Sequence, residues 1–455
     1  MSLNTTTTLT PAGVRHSRAA LLAAVTGFFV ITLDAVVVNV ALRQISLDLG
    51  ATITGLQWIV DGYTLLFASC LLSAGAFSDR VGARRAYAIG MTAFVVTSLG
   101  CGLAPTVTVL IVARILQGTA AAVMLPASMA LIGEAFPDPA KRARAVGMWA
   151  MGGALASISG PVLGGLLSLV DWRLIFLINF PVGAGALLLL RRVPRSPQRP
   201  VPVDWAGQVT AITAMGALTY GAIEAGAAGI TAPPTIVAFG LFVLAAAGFV
   251  VSQRRGAHPM VPLPLLGNRT LAVSTGIGFS YMVGYFGLPF VMSLYLQQER
   301  GLSPVETGAV FVPMMLAGAI LTPFIAGLSQ RCGARTLIAA GMGLMATGLT
   351  LIALLPAAAP VGVLAAEMIL VGLAGPLVIP TITAVLLNSF DSQRAGTVSG
   401  IFNTSRQIGG ALAVAVFGSL LARSTTFLQG FSTSLLIAAG LALAMAALAT
   451  RLPRR

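Results

Sequence analysis

Gly75–Arg85, GAFSDRVGARR, separates two long apolar runs. Its eleven residues hold one carboxylate, Asp79, three arginines, Arg80, Arg84 and Arg85, and two glycines, Gly75 and Gly82. A related stretch, Ala326–Arg335, AGLSQRCGAR, returns 251 residues later, aligning Ser78 with Ser329, Arg80 with Arg331, Gly82 with Gly333 and Arg84 with Arg335. Farther along each copy, Gly118 matches Gly372 and Pro126 matches Pro380 at an offset of 254. A duplicated apolar unit with a short basic loop inside it predicts two membrane halves in tandem, with a substrate site between them.

Composition agrees. Mean hydropathy is +0.93, 57% of residues are hydrophobic and only 9% are charged. That excludes an ordinary soluble domain of 455 residues and predicts an all-α polytopic membrane protein. The net charge of +14 would suggest nucleic acid in a soluble protein. Here the basic residues lie in short loops beside apolar runs, so orientation in a bilayer is the better reading and no nucleic-acid partner is expected. Lys141 is the one lysine among 27 basic residues, and Ala and Gly are abundant, a bias of high-GC bacterial genomes. Cys70, Cys101 and Cys332 show no pairing pattern, so neither disulfide nor metal site is expected. The apolar run containing Asp34 is too long for a signal-peptide core and reads as an uncleaved first span.

Fourteen spans are predicted, at 21–42, 55–77, 86–104, 107–132, 145–168, 174–190, 206–226, 235–252, 271–297, 304–328, 336–355, 361–386, 397–421 and 431–450. Each is near the ~20 residues a crossing helix needs. With both termini cytoplasmic, 21 of the 27 basic residues fall on the inside and 4 outside, while Arg114 and Arg406 lie within spans. The expected organisation is a tail over 1–20, a six-helix half over 21–190, a linker with two extra helices over 191–269 and a second half over 270–455.

Several motifs now carry a resemblance. The loop G-x-x-x-D-R-x-G-x-R-R resembles the signature of the major facilitator superfamily. Six helices, two extra, then six more resembles its fourteen-helix drug:proton antiporter family. Leu33–Leu42, LDAVVVNVAL, is similar to that family's first-helix motif, with Ala35, Val36 and Arg43 departing from it. Trp58–Tyr63, WIVDGY, places an acid typical of a subset resembling methylenomycin-type exporters. Leu110–Ala122, with Arg114, Gln117 and Gly118, is similar to the fourth-helix motif. In the fifth span Gly147, Gly160, Pro161, Gly164 and Gly165 match the antiporter signature, with Ala156 replacing its middle glycine. Trp172-Arg173 and Asn179-Phe180-Pro181 fit the entry to the sixth helix, and Asn403–Gly410, NTSRQIGG, also recurs in the family.

The resemblance implies proton-coupled export of hydrophobic or amphiphilic drugs across a bacterial cytoplasmic membrane by alternating access. The proton gradient would supply the energy, and no cofactor is expected. A monomer is expected, embedded in the lipid bilayer and handling small hydrophobic or cationic drugs. The rival is a proton-coupled importer of a small metabolite. An intramembrane enzyme is not expected, since no histidine lies in a span and no Gly-x-Gly-Asp occurs.

Asp34, Asp61 and Arg114 are the expected proton-coupling residues. An ionisable group within a span is costly and points to function or to a partner. A rise of 1.5 Å per residue puts Asp34 roughly 4 Å, and Asp61 and Arg114 roughly 8 Å, outside their helix midpoints. The deeper Asp34 is expected to carry the proton, and Asp61 to act as entry relay or cation-recognition site. A hydrated surface acid is the competing reading for Asp61. Gly75, Asp79, Arg80, Gly82 and Arg84 form the implied latch of the outward-open state. The small residues Gly152, Ala156, Gly160 and Gly164 share one face that lets helices approach closely. Asn39, Trp58, Gln117, Tyr281, Tyr285, Arg406 and Gln407 are candidates for the substrate cavity. For Arg406 two readings stand, bonding to carbonyls and contact with substrate.

Overall fold

A computed structural model of the chain describes residues 11–198, 202–390 and 395–452. The described residues are helical throughout, without strands. The first half comprises α1 (Pro11–Leu49), α2 (Ile53–Val81), α3 (Ala83–Gly102), α4 (Val107–Ala135), α5 (Pro139–Val170) and α6. Helix α6 comes in two pieces, Leu174–Leu177 and Asn179–Leu190. Two helices follow, α7 (Trp205–Ala227) and α8 (Pro233–Arg255). The second half comprises α9 (Arg269–Leu294), α10 (Pro304–Leu321), α11 (Ala334–Leu354), α12 (Val361–Ser389), α13 (Ala395–Arg423) and α14 (Phe427–Ala449). A π-turn, Tyr295–Glu299, prolongs α9, and Ile325–Cys332 prolongs α10. Among the described residues ten helices are long and apolar enough to cross a bilayer alone, or eleven counting α2. The rest are shorter or more polar, and they sit against apolar neighbours. Residues 1–10 of the predicted tail fall outside the described residues, and 11–20 form the start of α1.

The packing repeats. Helix α1 packs on α4, α5 and α6 as α9 packs on α12, α13 and α14; α2 and α3 pack on α4 as α10 and α11 pack on α12. Glycine fixes both versions of the central crossing. A Cβ on Gly118 of α4 would overlap the Tyr63 carbonyl of α2, and one on Gly372 of α12 would overlap the Met314 carbonyl of α10. Gly118→Ala must push these backbones apart, at about 1–3 kcal/mol. The expected result is a lower melting temperature in detergent, and an unchanged one would mean that the helices move apart freely.

Glycine also shapes the repeated loop. Gly82 (φ 86°) ends α2 and begins α3, and Gly333 (φ 78°) does the same in the second copy. A side chain is strained in that region, so one glycine per copy is dictated by the backbone.

The inserted hairpin is anchored to both halves. Near the Arg-rich end of the bundle, which carries Arg80 and Arg84, Gln208 of α7 donates to the Ser69 carbonyl of α2 at 3.0 Å. Toward the Arg-poor end, which carries the turn at Gly50, Ser419 of α13 donates to the Ala222 carbonyl at 2.7 Å. Arg423 donates to the Ala225 carbonyl at 2.8 Å. Helix α7 therefore covers the seam between α2 and α13.

Candidate functional site

Four elements converge on Asp34, which is buried midway along α1. Arg114 of α4 pairs with its Oδ2. Gln117, one turn on, donates from Nε2 to Asp34 Oδ1 at 2.9 Å and to Ser98 Oγ of α3 at 3.1 Å. Asn179, at the start of the second piece of α6, donates to the same two atoms, each at 2.9 Å. The Ser98 hydroxyl donates to the Phe176 carbonyl at 2.9 Å. Arg114 spends its Nε on the Ile59 carbonyl (3.0 Å) and donates from Nη1 to Gln117 Oε1 (2.8 Å) as well as to Asp34. The guanidinium lies 4.3 Å from the Tyr63 ring centroid, a cation–π distance. The carboxylate thus accepts from three donors, one of them its opposite charge.

Asp61 of α2 is the reverse case. It is as fully buried as Asp34, so a hydrated surface position does not describe it, and the expected difference in depth does not separate the two acids. Neither carboxyl oxygen meets a hydrogen-bond partner. One turn toward the Arg-poor end, Gln57 Nε2 donates to the Ala415 (2.6 Å) and Val414 (3.3 Å) carbonyls of α13.

That contact belongs to a seal. Ser293 Oγ of α9 donates to the Asn39 carbonyl at 2.7 Å, and Gln297 Nε2 to the Val40 carbonyl at 2.9 Å. Between α5 and α10, a Cβ on Gly165 would lie 2.7 Å from the Pro304 carbonyl, and one on Gly308 would overlap that of Pro161. Among the described residues, all hydrogen bonds that join the two halves lie toward the Arg-poor end. This form is closed there. Gly308→Leu should wedge it open. An impermeant maleimide applied from that side to Ser293→Cys, without the native cysteines, should then label several-fold faster; unchanged labelling would refute the wedge.

The antiporter-motif glycines divide by direction. Gly160 and Gly164 meet Val36 and Val37 of α1 within their own half. Pro161 and Gly165 face α10 across the seam, and Gly147 has open space. In the loop, Gly75 also has open space. Asp79 and Arg80 are exposed, and Asp79 forms no ion pair among the described residues. Arg84 instead ties the loop to the end of α6, through Nε to the Leu190 carbonyl (3.2 Å) and its backbone N–H to Ser196 Oγ (2.9 Å).

The cavity candidates separate too. Tyr281 and Tyr285 stack at 5.2 Å, and Arg406 and Gln407 lie half-buried on α13. Gln117 is committed to Asp34, Asn39 sits in the seal, and Trp58 turns to Tyr220 of α7, 6.3 Å between centroids. Sequence reasoning gave Asn179 no chemistry of its own and passed over Ser98 and Gln57. A lone amide opening an apolar helix piece was the one available signal, for Asn179.

The Major Facilitator Superfamily model matches residues 24–414 and 276–455. The methylenomycin A resistance protein of Streptomyces coelicolor is 34% identical over 437 residues, 95% of this chain and 92% of that one. The multidrug resistance protein Stp of Mycobacterium tuberculosis is 37% identical over 410 residues, 88% and 75% of the two chains. The tetracenomycin C resistance and export protein of Streptomyces glaucescens is 33% identical over 429 residues, 90% and 79%. The crystal structure of a peptide transporter in complex with sulfate superposes with a TM-score of 0.71 at 17% identity, covering 96% and 94%, a likeness of fold. This multi-pass membrane protein belongs to the major facilitator superfamily.

Proposed function

We propose that this protein exports amphiphilic drugs in exchange for protons, with the Arg-rich end and both termini in the cytoplasm of a bacterium. The drug-resistance and export proteins it resembles along most of its length support drug export. The observation that carries proton coupling is the contrast between two buried acids. Asp34 is compensated by Arg114 and two amide donors, and Asp61 by nothing.

An isolated buried carboxylate is far more costly than the neutral acid. Asp61 therefore holds a proton in the closed form, while the Asp34–Arg114 pair positions α1 against α4. When the Gln57 contact opens, water from outside reaches Asp61. After the drug leaves outward, proton uptake at Asp61 lets α2 and α13 reseal. Drug arriving from the Arg-rich side then exchanges for that proton.

Everted membrane vesicles test this. A fluorescent drug should accumulate when the lumen is acidified and leave when the pH gradient is collapsed. Accumulation that needs a sodium gradient instead would refute proton coupling. Drug movement in the opposite direction would favour the importer.

A further inference from the structure

We infer that the second half holds an anion subsite built on Arg406, so that exported molecules include apolar or aromatic carboxylates. This deepens the drug-export reading and rests on it. Arg406 lies twelve residues into the 29-residue helix α13, within the bilayer. A charge at that depth needs a partner. Arg114 has its partners. Arg406 has Asn403 Oδ1 on its own helix, 3.1 Å from Nη1, and the Phe402 ring, 5.8 Å from its guanidinium, but no carboxylate, and its Nε is buried and unmet. Among the described residues the ion pairs involve Arg114 and Arg173 only. The described acids of the second half, Glu299, Glu306 and Glu367, lie toward the Arg-poor end.

The surroundings are aromatic. Gly278 of α9 packs against Arg406 Cγ and the Phe402 ring, and the stacked Tyr281 and Tyr285 follow on the same face of α9. The Tyr281 hydroxyl lies against Gly375 of α12, and the Tyr285 hydroxyl donates to Met315 Sδ of α10 at 3.4 Å. Four helices, α9, α10, α12 and α13, thus meet at one cation beside two aromatic faces. A carboxylate supplies the missing charge and accepts from the guanidinium, while its ring lies on the tyrosines. A cationic drug would meet an uncompensated positive charge. Neither the paired Asp34 nor the neutral Asp61 offsets it.

The experiment uses a carboxylate dye and its methyl ester as a matched pair, added to everted vesicles carrying the full chain. The wild type should accumulate both. Arg406→Gln should lose carboxylate accumulation about tenfold or more, the size of one charge-assisted hydrogen bond, and keep the ester within about twofold. Arg406→Lys should retain part of the carboxylate signal. Equal loss of both dyes in Arg406→Gln would make Arg406 structural and overturn the subsite, as would undiminished carboxylate transport. A wild type that moves the ester but not the carboxylate overturns the subsite and leaves drug export standing. A wild type that moves neither of these dyes, nor a cationic one, overturns drug export itself. Should the Gln variant fail to insert, binding to purified wild type decides: tighter binding of carboxylate than of ester is expected, and equal binding refutes the subsite.

Discussion

Asp61→Asn should reduce export driven by an imposed pH gradient to background, about a hundredfold, while drug–drug exchange across the same membrane continues. Asparagine has the size of aspartic acid and no titrating proton. In the sealed form it occupies the Asp61 site without a buried charge, so folding and closure survive. The variant loses the difference in bound protons between the two forms. By linkage, the form that binds more protons gains as pH falls. The sealed form holds the neutral acid, so acid on the Arg-poor side promotes sealing in the wild type and leaves the variant indifferent. Labelling of Ser293→Cys from that side reports the same equilibrium. Relative to the intrinsic pH dependence of the thiolate reaction with maleimide, it should slow as pH falls in the wild type and stay flat in Asp61→Asn. Gradient-driven export at the wild-type rate in Asp61→Asn would end the assignment. Proton release on drug binding from purified Asp61→Asn would end it too.

The parts of the molecule readable in sequence are those governed by local rules. Gly82 and Gly333 announced the repeat because each must adopt a positive φ at the same joint. Fourteen apolar runs give the helices, since a crossing segment satisfies its own backbone. Asp34, Arg114 and Gln117 drew notice as polar residues in apolar runs, and Arg114 and Gln117 share a helix face by spacing alone. What remained hidden depends on distant parts of the chain. Asn179 reaches Asp34 across 145 residues, and Gln57 reaches Ala415 across 358. No periodicity encodes such pairings. Depth from sequence does not separate the two acids, which are equally buried, because it counts residues along one helix while burial depends on neighbours. Asp61 lies beneath a seal made by α13, and Asp34 in a net of donors from α4 and α6 that also share Ser98 of α3 as acceptor. Nothing in the sequence places the inserted α7 against α2, so the contact of Trp58 with Tyr220 is not legible there.

Arg114→Ala should cost about 3–5 kcal/mol of stability, the loss found when one partner of a buried ion pair is removed. The Asp34 carboxylate would keep the amides of Gln117 and Asn179 but lose its counter-charge. The Ile59 carbonyl and the face of Tyr63 would lose their partner as well. The expected readout is a melting temperature in detergent many degrees below wild type, with export lost in parallel. Arg114→Lys should recover only part of it. A single ammonium cannot serve Ile59, Asp34 and Gln117 with the spread of a planar guanidinium. The decisive comparison is the double variant Arg114→Gln with Asp34→Asn, which leaves neutral groups of similar size. It should be more stable than either single change, because an unpaired buried charge costs more than a missing pair. Its export should nevertheless stay absent, since the wild-type geometry of α1 against α4 depends on the pair. Additive losses in the double variant would mean that the two charges do not depend on each other within the fold. Restored export would show instead that the charged pair is not needed to hold α1 against α4.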